Sequence, residues 1–266
     1  MLKDVTIGQY YPTNSIIHRL DPRTKIHFTL LYIVALFTVD NLYGYAVAFG
    51  MLLVVTLISK IPVGYILRGV KGLVFIIMIT VAINLFMTPG TVKWQFWILK
   101  ITEEGLRVAV FMALRLVFLV TGTSLMTLTT SPIALTDGIE YSLRGVPFVR
   151  KYAHELAMMM TIALRFIPTL MEETDRIMKA QKARGADLDS GNLFQRAKNL
   201  IPILVPLFVS AFRRADELAI AMEARCYRGG ENRTRLNELR FQRRDLYAYG
   251  ATFLMVFAVF ATRWLS

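Results

Sequence analysis

The sequence predicts an all-α, polytopic membrane protein with about five transmembrane helices and a cytoplasmic α-helical segment before the last span. Three observations carry this. The chain is 55% hydrophobic with a mean hydropathy of +0.47. Its apolar residues are bunched into runs near the ~20 residues that cross a bilayer core. Its basic residues, which give a net charge of +12 and a pI of about 10.0, flank those runs. Basic flanks around apolar runs follow the positive-inside rule rather than a phosphate-binding face, and aromatic–basic interleaving is absent, so no nucleic-acid partner is expected. The lone cysteine, Cys226, excludes an internal disulfide framework.

Residues 1–25 form a polar arm that lacks the apolar stretch of a secretory signal, so the first span is expected to serve as its own insertion signal. The run 26–39 is short for a span, and its helix is expected to begin near Asp21-Pro22, with Asp21 as N-cap and proline in the first turn. Residues 42–59 form a second span, paired with the first as a hairpin through a turn at 40–41. Lys60 to Lys71 reads as a basic connector, expected as a short amphipathic surface helix. Residues 72–88 form the third span and 103–130 the fourth. Trp94 and Trp97 in the loop between them match an interfacial aromatic belt.

The composition then changes. Residues 131–244 mix apolar stripes with dense charge of both signs. Ser131-Pro132 starts a helix expected to stop near Gly145-Val146-Pro147. Long helices are expected at about 151–184 and 192–226, closed by Gly229-Gly230, and 245–265 is the last span. The domain division is therefore 1–130 (four spans), 131–244 (cytoplasmic helices) and 245–266 (last span). Basic residues in the arm, the connector and the large segment place the N-terminus inside and the C-terminus outside. The runs 156–171 and 200–212 invite a seven-span alternative. It would place Arg176, Lys179, Lys182, Arg184, Arg196 and Lys198 outside, against the same rule.

The first long helix carries apolar positions at three- to four-residue spacing, among them Met160, Ala163, Ile167 and Leu170, enriched by Met158, Met159 and Met171. Methionine adapts to varied partners, and self-packing is the plainer alternative. The two long helices end alike, in Ala183-Arg184-Gly185 and Ala224-Arg225-Cys226. At an offset of 41 residues Asp175 matches Asp216, Ile177 matches Leu218, and Ala180 matches Ala221. Arginine at a helix C-terminus meets free carbonyls and presents five fixed donors, which suits docking; simple complementation of the helix dipole is the alternative.

Within the spans, Arg115 is expected to bond carbonyls of neighbouring helices, since no acidic residue shares its depth. Asn84 is a second intramembrane polar group. Thr121, Thr123, Ser124 and Thr127 are expected to add interhelical hydrogen bonds. Catalytic signatures fail: His154-Glu155 lacks a histidine at 158, and no phosphate-binding glycine loop is present. No cofactor, metal or catalytic residue is expected.

Four stretches, His18–Lys25 (HRLDPRTK), Thr130–Tyr141 (TSPIALTDGIEY), Ala163–Asp187 (ALRFIPTLMEETDRIMKAQKARGAD) and Ala221–Gly230 (AMEARCYRGG), resemble the transmembrane coupling subunit of energy-coupling factor transporters, EcfT, related to CbiQ. The resemblance implies that 131–244 is a coupling segment. It implies a scaffold that joins two ABC-type ATPase subunits to a small substrate-binding membrane subunit, for ATP-driven uptake of vitamins or similar micronutrients. It implies ATPase docking by Ala183, Arg184, Gly185, Ala224, Arg225 and Cys226; the family often has glycine at the last position. The methionine-rich face, Met158 to Met171, is the expected seat of the substrate-binding subunit. The alternatives are a stand-alone channel or secondary transporter, or a membrane-embedded enzyme using Arg115 and Asn84.

Overall fold

The structure is a computed structural model that describes residues 10–96, 99–145, 147–186, 192–229 and 239–264. Its elements are α1 (Pro22–Phe37), α2 (Leu42–Ser59), α3 (Val63–Met87), β1 (Val92–Phe96), β2 (Leu99–Thr102), α4 (Glu103–Thr129), α5 (Pro132–Leu143), α6 (Arg150–Ala183), α7 (Leu193–Ala224) and α8 (Arg243–Trp264). Among the described residues the chain divides into two compact units, 10–139 with 239–264, and 140–229.

The first unit is a helix bundle. In it α2, α3, α4 and α8 are long and apolar enough to cross a membrane, whereas α6 and α7 are not, which disfavours the seven-span alternative. α1 has sixteen residues, about 24 Å at 1.5 Å per residue. It starts as expected: Pro22 is at N1, and the Asp21 carboxylate accepts the Arg23 amide. Apolar side chains point outward from the bundle, Phe75 at 69% and Phe257 at 76% exposure. Such surfaces suit lipid, where close packing rather than water exclusion holds helices together. Close packing is visible at Gly122, where a Cβ would meet Tyr32 Cε1 at 2.6 Å, so only glycine lets α4 lie against the ring from α1.

Three expectations need correction. The connector 60–71 is not a separate surface helix. α3 begins at Val63 and runs unbroken for 25 residues, because Pro62 is the last breaker and the basic side chains reach outward from its first turns. The loop 89–102 contains an antiparallel hairpin, β1 with β2, a small addition to the all-α class. The alternation of VKWQF carries that period. Finally, the turn of the α1–α2 hairpin is longer than 40–41, spanning 38–41, and both helices lean on α4 and α8. Trp97, Val146 and Gly230, and the side chain of Trp94, lie outside the described residues.

The second unit contains α6 packed against α7. Three contacts fix their direction: Tyr227 Oη donates to Met158 Sδ at 3.0 Å, Arg214 Nη2 to Glu173 Oε2 at 3.0 Å, and Gln181 Nε2 to the Pro202 carbonyl at 3.5 Å. As the α6 number rises the α7 number falls, so the helices are antiparallel. Near the start of α6 the buried Glu140 carboxylate receives Arg144 at 2.7 Å and faces His154 Nδ1 at 3.2 Å, joining the end of α5 to α6.

Candidate docking tips and membrane anchor

The two arginine tips are built by the same local geometry. α6 ends at Ala183, Arg184 is the C-cap, and Gly185 adopts φ +83°. The Gly185 amide donates to the Lys182 carbonyl and the Ala186 amide to that of Gln181, both at 3.0 Å. α7 ends at Ala224, Arg225 is the C-cap, and Cys226 adopts φ +54°. The Cys226 amide donates to Glu223 at 2.8 Å and the Tyr227 amide to Met222 at 3.0 Å. Both are Schellman closures, with the left-handed residue directly after the arginine. Glycine adopts that conformation freely, whereas a side chain costs about 1–2 kcal/mol. Cys226 therefore seats in the same backbone as Gly185, at the cost of strain. Both tripeptides are exposed.

The 41-residue offset has a spatial meaning. Glu173 and Arg214, the ion-paired residues of α6 and α7, are themselves 41 apart. Each tip then lies eleven residues beyond this pair, from 173 to 184 and from 214 to 225. Antiparallel helices place the tips on opposite sides of the pair, each about 16.5 Å away, so about 33 Å separates them along the axis. The weak repeat is a pseudo-twofold centred on Glu173–Arg214. A hydrogen bond from Ser210, then the bond and charge of Arg214 and the charge of Arg176, hold the Glu173 carboxyl below its ordinary value despite some opposing burial.

On α6, Met159, Met160 and Ala163 are exposed, while Met158, Ile167, Leu170 and Met171 are half-buried. Met158 accepts the Tyr227 hydroxyl, so its sulfur serves the α6–α7 packing. A wider apolar face lies on α7: Ile201, Leu204, Val205, Phe208, Val209 and Phe212 are all exposed. The three- and four-residue spacing within the run 200–212, which in sequence resembles a span, is the signal of this one helix face.

The HRLDPRTK stretch is a clamp at the bundle end. The His18 ring bonds Ser15 Oγ at 2.7 Å and the Tyr11 carbonyl at 3.0 Å. Lys25 Nζ donates to the Thr129 carbonyl at 2.8 Å and the His18 carbonyl at 3.2 Å, tying α1 to the end of α4. Asp245 of α8 accepts the Asp21 amide at 2.8 Å, and Arg23 donates to the Leu239 carbonyl at 2.8 Å. The clamp thus gathers the arm, α1, α4 and α8.

Arg115 Nη2 donates to the Val39 carbonyl at 2.9 Å, just past the end of α1, as expected for a structural role. Asn84 turns instead to its own helix, donating to the Thr80 carbonyl at 2.8 Å. Thr121, Thr123 and Thr127 likewise bond carbonyls three or four residues back, not other helices; a hydroxyl finds that carbonyl within reach without crossing to a neighbour. Among the described residues no cluster of metal-ligating side chains is present.

A bundle of apolar helices clamped at one end, with an antiparallel pair of arginine-tipped helices in a second unit, defines a polytopic helical membrane protein. The model of the cobalt transport protein family, CbiQ, matches residues 13–236. The energy-coupling factor transporter transmembrane protein EcfT of Clostridium kluyveri is 61% identical, over 93% of either chain. Its counterpart in Thermosediminibacter oceani is 58% identical over 99% of this chain and all of that one, and the Bacillus subtilis protein of the same name is 45% identical over 92% of this chain and 93% of that one. The chain belongs to the EcfT family, the transmembrane proteins of energy-coupling factor transporters.

Proposed function

We propose that this chain is the non-catalytic scaffold of an energy-coupling factor importer, carrying the motion of two ABC-type ATPase subunits to a small substrate-binding membrane subunit. The observation that carries this reading is the pair of matched, exposed arginine tips, set symmetrically about Glu173–Arg214. Two tips about 33 Å apart suit two similar sockets on two similar subunits. Each tip, Ala183-Arg184-Gly185 and Ala224-Arg225-Cys226, offers a guanidinium and no bulk beside it. Closure of the ATPases around nucleotide changes the distance between their sockets, and α6 and α7 answer by moving against each other.

The substrate-binding subunit rests on the exposed part of the methionine-rich α6 face, Met159, Met160 and Ala163, extended by the apolar face of α7. Cargo selection belongs to that subunit; the class of cargo, vitamins or similar micronutrients, is carried over from the family resemblance. The segment 131–244 lies on the cytoplasmic side, with the N-terminus inside and the C-terminus outside, because the basic loops fall on that side.

The test is charge reversal. Arg184→Glu and Arg225→Glu should each lower co-purification of the ATPase subunits and stop ATP-driven uptake in proteoliposomes. Wild-type co-purification and uptake in both variants would dispose of the docking assignment.

A further inference from the structure

The bundle contains a cavity that the proposed function does not use. It measures about 260 Å³, and its lining is almost wholly apolar. Its origin follows from chain connectivity. α1 and α2 are joined by only four residues, 38–41, so they are held together at that end. Each leans on α4 and α8 rather than on the other, which leaves space between them toward their far ends. The cavity lies there, lined by Thr24–Thr29 of α1, Met51–Ile58 of α2, Gly122–Thr129 of α4 and Arg244–Ala251 of α8. Ile16, Ile17 and Leu20 of the arm close its end. All four helices contribute the two turns nearest the clamp.

The charged groups at this cavity are of one sign. Lys25 and Arg244 line it, and no carboxylate does. Lys25 spends two of its three N–H groups on the His18 and Thr129 carbonyls. Asp21 and Asp245 stand near it but are engaged elsewhere, Asp21 with Arg23 and Asp245 with the Asp21 and Gln242 amides. Arg244 is exposed at the mouth beside Tyr247 and makes no hydrogen bond or ion pair among the described residues. An apolar chamber of this kind does not hold ordered water. In a bilayer its neighbours are acyl chains, and basic groups between membrane helices attract anionic headgroups.

We propose that the cavity is a binding site for one anionic phospholipid, with an acyl chain between α1 and α2 and its phosphate at Arg244. Bound there, the lipid fills the space between α1 and α2 and braces the clamp of arm, α1, α4 and α8. Which leaflet supplies it follows from the membrane orientation proposed above; the site itself does not depend on that orientation or on ATPase docking.

The test uses the purified full chain in mild detergent, given an equimolar mixture of dioleoyl phosphatidylglycerol and dioleoyl phosphatidylcholine and read by native mass spectrometry. The expected result is one retained lipid per chain, with phosphatidylglycerol favoured several-fold. Arg244→Gln should bring the two lipids to parity. Ala251→Phe, at the rim, should lower retention of both. If Ala251→Phe fails to elute as a folded monodisperse species, the selectivity of Arg244→Gln decides alone. Millimolar inorganic phosphate should leave retention unchanged; displacement by it would make this an anion site and overturn the lipid assignment. Equal retention of both lipids by the wild type, or unchanged selectivity in Arg244→Gln, would also overturn it. So would loss of the lipid on assembly with the ATPase and substrate-binding subunits, which would assign the cavity to a protein segment.

Discussion

Cys226→Gly should tighten the second arginine tip, and Gly185→Ala should loosen the first by a similar amount. The reason is backbone geometry alone. Both residues hold positive φ, +54° and +83°, directly after a C-cap arginine. A Cβ at Gly185 meets nothing within 4 Å, so the Ala variant tests conformation without a clash. The left-handed conformation costs an L-residue about 1–2 kcal/mol. Glycine gives back about 0.4–1 kcal/mol through the greater freedom of the unfolded chain. The net gain for Cys226→Gly is about 0.5–1 kcal/mol, with the opposite sign for Gly185→Ala. Amide hydrogen exchange reads this locally. The Tyr227 amide, which donates to the Met222 carbonyl, should exchange about two- to five-fold more slowly in Cys226→Gly. The Ala186 amide, which donates to Gln181, should exchange faster by a similar factor in Gly185→Ala. Faster or unchanged exchange at Tyr227, with no change at Ala186 in the other variant, would refute the view that the tips are matched Schellman closures differing in strain.

Two further expectations concern groups inside the units. Arg115→Leu leaves the buried Val39 carbonyl without its donor and should lower stability by about 1–3 kcal/mol, while uptake per folded molecule in proteoliposomes stays near wild type. Loss of uptake at unchanged stability would instead give Arg115 a direct role. The second concerns pH. Glu173 is held below its ordinary value of 4.5, chiefly by Ser210, so its contribution to α6–α7 packing is complete above about 4.5 and is lost as pH falls through the lowered value. A distance probe across α6 and α7 should be flat from pH 7 to 5 and change only below that. In Glu173→Gln the acid-side change should shrink.

Much of the architecture was legible because bilayer crossing is a length-and-composition problem. α2 begins and ends where its apolar run does, and α1 starts at the Asp21-Pro22 signal, whose chemistry is local. Local too are the arginine tips: their residues, their spacing and their likeness all lie in short segments. The hairpin β1–β2 was missed for a related reason, since two strands of five and four residues between two long apolar runs give a weak signal beside them. The connector 60–71 was misread because basic residues signal a membrane surface without saying whether a helix stops there.

By itself, then, the sequence determined which segments are helical, which can enter a membrane, and that two helix ends are alike, because each depends on residues near one another in the chain. Only the tertiary structure decided what those features do together. It made α6 and α7 antiparallel, which turns an internal repeat into two tips facing opposite ways about Glu173–Arg214. It gathered HRLDPRTK, the end of α4 and the start of α8 into one clamp. It also showed that Cys226 occupies the backbone that Gly185 does, because a φ angle at a helix end is set by the closure of the helix and not by the identity of the residue that bears it.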